Sequence, residues 1–170
     1  MAARIGCGVE INLTPNNSKK RAHGRRRCTS VKGNQNPGTL RGELDDTYGW
    51  NNLFVNNIAV TNPSVNNNNT AIGEAGANGT IWQSNLTFNG TAGSSSVNGA
   101  KTATAANGNI LGKNPLLVAP ALTAGANFHL QAGSPAIGAG ELSEQPVTDL
   151  GGAVRPVAGP TDLGVYLYIP

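Results

Sequence analysis

A repeated pairing of asparagine with an aliphatic residue is the feature that most constrains the fold of this chain. The stretch NNLFVNNIAV at 51–60 returns as TIWQSNLTFNG at 80–90 and, in weaker form, as ANGNILGKNP at 106–115. The repeated pairs are Asn57-Ile58, Asn85-Leu86 and Asn109-Ile110, in steps of 28 and 24 residues. A repeat of roughly 20–30 residues made of short strands and turns is typical of a stacked solenoid.

The first two copies also align in register. Apolar residues alternate with more polar ones, which predicts strands with one dry face and one wet face. The apolar pairs are Phe54/Trp82, Ile58/Leu86 and Val60/Phe88, and the alternating pairs are Val55/Gln83, Asn57/Asn85 and Ala59/Thr87. In the third copy, Gly108 and Gly112 replace larger inward residues. The intervening stretches, 61–79 and 91–108, are rich in Gly, Asn, Ser and Thr, so we predict turns there.

The aligned asparagines predict a ladder. If equivalent strands pair in parallel, Asn57, Asn85 and Asn109 lie one above another, and their side-chain amides can hydrogen-bond along the stack. The alternative is coincidence, since asparagine occurs 22 times in 170 residues. The register of the neighbouring apolar residues favours the ladder.

Composition supports an all-β fold with many tight corners. Charged residues make up 12% of the chain and aromatic residues 5%, whereas glycine alone occurs 23 times. Glycine and asparagine tolerate left-handed backbone and weaken helices. We divide the chain into an atypical, poorly ordered basic segment at 1–47, stacked coils at 48–113, and a last coil with a C-terminal cap at 114–170.

The net positive charge is confined to one end of the chain. Residues 1–47 carry a net charge of +5 and residues 48–170 a net charge of −2, and half of the basic residues lie in KKRAHGRRR at 19–27. That run could bind nucleic acid or another anionic surface or direct localisation, but no aromatic residue is interleaved with it, and a solvated segment is the simpler interpretation. The body of the protein is not expected to bind nucleic acid.

The two cysteines, Cys7 and Cys28, lie in the same basic segment. They could form one disulfide or, with His23, contribute to a metal site, but zinc spacing is missing and two free thiols are the simplest interpretation. The sequence contains neither the apolar core of a signal peptide nor an apolar stretch long enough for a membrane helix. We expect no membrane span. The protein is either cytosolic, or this chain is a fragment whose export signal lies upstream.

The last third of the chain carries an ordered series of short motifs. They include Asn114-Pro115-Leu116, NFHLQAGSPAIGAG at 127–140, Arg155-Pro156 after Asp149 and Gly151, and Asp162, Gly164 and Tyr166. This series resembles the closing segment of right-handed parallel β-helix proteins of the pectate-lyase-like superfamily. The chain departs from that pattern at Gly138, where relatives often carry Asp, and at Leu167, where they often carry Glu.

The closing segment has a structural role that its residues predict independently. The end of a solenoid exposes its core and its strand edges, and both need covering. We expect six side chains to plug that end and Arg155 to form an ion pair with Asp149 or Asp162; the six are Phe128, Leu130, Ile137, Leu163, Tyr166 and Tyr168. Ser134, His129 and Asp162 suggest a catalytic triad, but Ser134 precedes proline and lacks the strained nucleophile turn, so we interpret all three as structural.

The resemblance implies polysaccharide as the ligand. Lyases of the superfamily use carboxylates that bind calcium together with a basic residue, and its hydrolases use paired carboxylates. The candidate catalytic residues are Glu43, Asp45 and Asp46, with Asp45 and Asp46 as candidate calcium ligands. Tyr48 and Trp50 are candidates for contacting sugar rings. Because Asp45 and Asp46 are adjacent on a predicted strand, they point to opposite faces, and a solvated turn is the simpler alternative.

Three functional hypotheses follow. The leading one is the C-terminal portion of an extracellular or cell-surface β-helix protein, monomeric and associated with polysaccharide binding or processing. The alternatives are a small polysaccharide lyase or glycoside hydrolase using the 43–46 carboxylates, and a structural or adhesive surface protein. Three coils stack to only about 15 Å, which is short for a polymer groove. Enzymatic activity of this chain therefore stays open, with the balance against it.

Overall fold

The parallel pairing of equivalent short strands organises the fold. The computed structural model describes residues 44–47, 51–60, 71–75, 79–120 and 125–170. In these residues the protein is all-β, with one 3-10 turn at Ala105–Asn107. The strands are β1 Leu44–Thr47, β2 Leu53–Val55, β3 Ile58–Val60, β4 Ile72–Ala75, β5 Ile81–Gln83, β6 Leu86–Phe88, β7 Val97–Asn98, β8 Ile110–Leu111, β9 Leu117–Ala119 and β10 Asn127–Leu130.

Three parallel sheets form what we call the stack. Their strand orders are β1-β4-β7, β2-β5 and β3-β6-β8, so each sheet collects one strand from successive repeat units. The first unit contains β1, β2 and β3, the second β4, β5 and β6, and the third β7 and β8. The predicted register is confirmed: Phe54 pairs with Trp82, Ile58 with Leu86, and Val60 with Phe88.

The corner between neighbouring strands explains why one repeat contributes to several sheets. Asn56 and Ser84 adopt positive φ angles of 61° and 49°, and Gly108 occupies the same position in the third unit with a φ of 71°. Asparagine, serine and glycine are short enough for this left-handed conformation. Gly108 is therefore a corner residue, and the prediction that it replaces a larger inward residue is wrong.

Because of the bend at this corner, the prediction that alternate residues form a polar, solvent-facing side is wrong. Val55, Asn57, Ala59, Asn85 and Thr87 are all buried, although the alternation predicted them on the polar side. Each repeat is bent between two strands, so a single period-two pattern cannot continue across the bend.

Two strands lie where the sequence predicted only turns. β4 lies inside 61–79 and β7 inside 91–108, and Ile72 pairs in parallel with Val97. Both stretches have many turn-forming residues, but pairing and burial of Ile72 outweigh these weak local preferences.

The core divides into two clusters. One lies within the stack and includes Phe54, Ile72 and Trp82, with the Phe54 and Trp82 rings stacked at a centroid distance of 4.1 Å. The second joins Ile58 and Leu86 of the stack to Leu130 and Leu163 of residues 125–170, which we call the C-terminal segment.

The C-terminal segment lies along the flank of the stack. Its Gly164 N–H donates to the Asn56 carbonyl at 3.0 Å, and Asn56 forms two hydrogen bonds of 2.7 Å with the main chain of Glu141. These contacts reach the first repeat unit, whereas β9 and β10 pair antiparallel after the third. The sequence predicted that side chains of this segment plug the end of the stack; in the structure, its side chains also cover the outside of β3 and β6.

Candidate functional site

The strand β1 places the main chain of Asp45 and Asp46 beside the second repeat unit. Asp45 pairs with Gly73 and Asp46 with Glu74 in the parallel β1-β4 ladder. Glu43, Tyr48 and Trp50 lie outside the described residues. The structure therefore joins two of the predicted residues to a third acidic residue, Glu74, which the sequence interpretation missed.

Glu74 is attached to the core of the stack. Its Oε2 accepts a hydrogen bond of 2.8 Å from the Trp82 indole N–H, and Trp82 is completely buried. A buried indole N–H needs an acceptor, and Glu74 supplies it. The signal that could have found Glu74 is its spacing of two from Ile72 on one strand, but that stretch has a turn-like composition.

Asp46 and Glu74 stand one strand apart, at a main-chain spacing of about 4.8 Å. Neighbouring carboxylates can share a proton, hold calcium or divide acid and base roles. The described residues contain no group of three or more His, Cys, Asp and Glu side chains arranged to hold a metal ion. Glu74 already accepts the hydrogen bond of the buried Trp82 indole, so the arrangement favours a structural role for the Glu74 carboxylate.

The surfaces available to an extended ligand are limited by the C-terminal segment. It covers the β3-β6-β8 sheet, so a groove along the stack would have to use the other two sheets. On β5 the outward side chain of Ile81 is 46% exposed, and on β7 Asn98 is exposed. Both of these sheets therefore have side chains that are open to solvent.

The asparagines are internal. Asn57 Nδ2 donates to Asn85 Oδ1 at 2.8 Å, and Asn85 Nδ2 donates to Asn109 Oδ1 at 3.0 Å. All three residues are buried, so the predicted ladder is confirmed. Its function is to hold the repeat units together, and it presents nothing to a ligand.

The three residues that suggested a catalytic triad have separate partners. Ser134 Oγ donates to the Pro115 carbonyl at 2.6 Å, and the Asp162 carboxylate accepts the N–H groups of Gly138 and Tyr168 at 2.7 Å each. These bonds order the C-terminal segment. His129 instead belongs to an aromatic pair on the surface.

This aromatic pair consists of His129 and Tyr166. Their rings stack at a centroid distance of 3.9 Å and an interplanar angle of 14°. His129 is exposed, and Asn127 Oδ1 lies 2.7 Å from its Nδ1, which orients the ring. A flat, oriented ring at the surface is suited to stacking against the apolar face of another ring.

Buried charges organise the rest of the C-terminal segment. Arg155 donates to the carbonyls of Asp162 at 3.1 Å and Gly164 at 2.7 Å. Burial alone would raise the pKa of Asp149. However, N–H donors from Leu167, Ala153 and Gly151, together with the charge of Arg155, outweigh burial and hold the pKa of Asp149 below its ordinary value. Arg155 thus binds two main-chain carbonyls, and its charge favours the ionised form of Asp149; the sequence predicted Asp149 or Asp162 as its ionic partner.

Comparison with protein-family models, with curated proteins and with solved structures returned no match. None of the helical structure in the described residues is long and apolar enough to cross a membrane. The function therefore has to be inferred from the stack, its flanking segment and the motifs in the sequence.

Proposed function

We propose that this chain forms a short right-handed parallel β-helix of the pectate-lyase-like type and binds polysaccharide outside the cell without cleaving it. The observation that carries the proposal is the set of parallel strands paired in register around an asparagine ladder. It occurs together with the closing motifs on which the resemblance depends. Together, these strands and motifs support the proposal that the chain forms the last coils of such a β-helix and acts as a monomer.

The Glu74–Trp82 bond supports binding without catalysis. Among the described residues, Glu74 is in register with Asp46, and this bond directs the Glu74 carboxylate towards a buried indole. A pair of catalytic carboxylates needs both groups to face the substrate, at about 5–9 Å from each other. In the described residues, the Glu74 carboxylate is already hydrogen-bonded to Trp82 of the core.

We place a sugar contact at His129. A pyranose ring has an apolar face that would stack on the outer side of the imidazole, while Tyr166 supports its other side. Asn127, which orients His129, is close enough to help bind a sugar hydroxyl. Gel retardation in a panel of neutral and acidic polysaccharides, scored for both retardation and product release, tests binding without turnover.

The variant His129→Ala tests this contact. Loss of a stacking surface worth about 1 kcal/mol weakens binding roughly fivefold, whereas His129→Trp retains or strengthens it. Affinity electrophoresis or calorimetry with the polysaccharide that binds best gives the dissociation constants. Val157→Ala is the matched control, because Val157 is 95% exposed and remote in sequence. Equal affinity of the wild type and His129→Ala would remove His129 from the site.

One observation favours a second function. Because Asp46 is in register with Glu74, a lyase or hydrolase could use the 43–46 carboxylates, with calcium at Asp45 and Asp46 and with Tyr48 and Trp50 against the sugar. Calcium-dependent release of unsaturated sugars that is lost in Asp45→Ala and Asp46→Ala would establish the lyase. Retardation of the protein by a polysaccharide without release of products would support the binding function. If the protein neither binds any polysaccharide nor releases products from one, both the binding function and the enzymatic function are contradicted. A structural or adhesive role then remains.

A further inference from the structure

The chain contains Asn-Gly dipeptides that begin at Asn78, Asn89, Asn98 and Asn107. In this dipeptide an asparagine loses its side-chain amide especially readily, because glycine has no side chain to shield its main-chain nitrogen. Asn78 lies outside the described residues. The other three asparagines share the reactive sequence and differ in how the fold holds them.

Hydrogen bonds hold both halves of the dipeptide at Asn107. Its Nδ2 donates to the Thr102 carbonyl at 2.7 Å, and the N–H of the following Gly108 donates to the Ala105 carbonyl at 3.0 Å. The side chain and the glycine nitrogen can react with each other only after these bonds have opened.

The side chain of Asn89 is also fixed. Its Nδ2 donates to Ser94 Oγ at 2.9 Å, and its Oδ1 accepts the Thr91 N–H at 3.1 Å. These two bonds keep the amide in one orientation, so reaction at Asn89 likewise requires local opening.

Asn98 is held much less firmly. Its side chain is exposed, and within the described residues no hydrogen bond holds it. Asn98 ends β7, which is two residues long and lies at the edge of the β1-β4-β7 sheet. The following Gly99 is exposed as well. Little structure therefore has to open before the Asn98 side chain can reach the Gly99 nitrogen.

The fold requires glycine at position 99. A Cβ atom on Gly99 would overlap the main-chain oxygen of Glu74, and the φ of Gly99 is 76°, which disfavours other residues. The close approach of β7 to β4 thus maintains the reactive neighbour of Asn98.

We propose that Asn98 is a modification site, where the Asn98-Gly99 pair rearranges spontaneously to isoaspartate and detaches β7 from β4. The Gly99 nitrogen attacks Asn98 Cγ, and an N–Cγ bond forms. The Cγ–Nδ2 bond breaks, and Nδ2 leaves as ammonia with the proton that the Gly99 nitrogen loses. Water then opens the resulting succinimide ring. Hydrolysis at the main-chain carbonyl gives isoaspartate, in which the main chain is one atom longer and an α-carboxylate is free.

This product does not fit the pairing of β7 with β4. Asn98 pairs with Gly73, and Gly99 lies directly against the main chain of Glu74, which leaves no room for an added main-chain atom. The next residue, Ala100, is buried in the core cluster of the stack. Isoaspartate at position 98 therefore loosens β7 together with one edge of that cluster.

Peptide mapping tests the site. The full chain is aged in mildly alkaline buffer, and mass spectrometry with electron-transfer fragmentation locates each deamidated asparagine and distinguishes isoaspartate from aspartate. We expect Asn98 to react about tenfold faster than Asn107, because two hydrogen bonds must open first at Asn107. In urea the two rates should converge, since both asparagines precede glycine. A rate at Asn98 no higher than at Asn107 in the folded protein, or a difference undiminished in urea, would overturn the proposal.

Hydrogen exchange tests the structural consequence. The Ile72 N–H donates to the Ser96 carbonyl at 3.0 Å, which joins β4 to the start of β7. In molecules that carry isoaspartate, exchange at Ile72 should be about tenfold faster. The variant Asn98→Ala cannot form the succinimide at this position, so its exchange rate should not change on ageing. Unchanged exchange at Ile72 in the modified molecules would contradict the detachment of β7.

An enzymatic label gives a second readout of the site. An isoaspartyl carboxyl methyltransferase transfers a methyl group from labelled S-adenosylmethionine to the new α-carboxylate. Aged wild type should therefore take up more label than aged Asn98→Ala, and equal labelling would assign the isoaspartate to another asparagine and overturn the proposal. Polysaccharide binding enters neither the argument nor the readouts, so this inference and the proposed function fail independently.

Discussion

At Asn85, a single side chain connects three repeat units. Its Oδ1 accepts two bonds from Asn57, and its Nδ2 donates to the Phe54 carbonyl and to Asn109 Oδ1, both at 3.0 Å. Main-chain pairing alone specifies that strands run side by side. Asn85 adds a requirement for which residues must lie opposite one another.

Replacing Asn85 with alanine should destabilise the protein by about 3 kcal/mol. The change removes several buried hydrogen bonds and leaves partners such as the Asn57 NH₂ group without one of their acceptors. Urea or guanidinium titration measures the loss in the free energy of unfolding. Asn98→Ala, an exposed asparagine on β7, serves as control and should change stability by less than about 0.5 kcal/mol. A small effect at Asn85 would show that the ladder contributes little.

At the scale of elements, the sequence predicts strand pairing better than strand position. Phe54/Trp82 and Ile58/Leu86 could be aligned because bulky apolar residues recur beside asparagine, and the structure pairs them. β4 could not be found in this way. Its strand consists of Ile72, Gly73, Glu74 and Ala75, and pairing with β1 and β7 supplies the stabilisation that local preference lacks.

The candidate site shows the same limit. Asp45 and Asp46 could be singled out as a cluster of charge, but the position of Glu74 beside Asp46 depends on a strand pairing that the repeat alone does not reveal. The closing motifs likewise predict an ordered tail. The flank on which it packs follows from contacts between residues far apart in sequence, such as Leu163 with Ile58 and Leu86.

Leu163 tests how the C-terminal segment stabilises the stack. It is completely buried in the cluster with Ile58 and Leu86, so Leu163→Ala should cost about 3 kcal/mol through lost burial and a cavity. Hydrogen exchange at β3 and β6 should accelerate, since the segment would no longer cover them as firmly. Val157→Ala, at a 95% exposed site, is the control. Unchanged exchange at β3 and β6 in Leu163→Ala would contradict the flanking arrangement.

For the whole molecule, acidification should weaken the attachment of the C-terminal segment. The pKa of Asp149 is lowered in the folded protein, where burial is outweighed by N–H donors and by Arg155. A carboxyl group whose pKa is lower when folded contributes stability above its unfolded pKa of about 3.9, and this stability is lost as the pH falls through the folded value.

The variant Asp149→Asn should therefore be less stable at neutral pH, and its stability should fall less than that of the wild type below about pH 4. Thermal unfolding across an acidic pH series gives both quantities. Glu141→Gln is the matched control, since its main-chain bonds to Asn56 remain. Parallel pH profiles for the wild type and Asp149→Asn would show that another group controls the acid response.

The two hydrogen bonds between Asn56 and Glu141 also bear on the order of folding. These residues are 85 positions apart, and closing so long a loop has a large entropic cost before any contact rewards it. Glu141 and the neighbouring tail have a surface to bind only after β3 and β6 have paired, because Ile58 and Leu86 together form that surface. We therefore expect the stack to assemble first and the C-terminal segment to dock on it last.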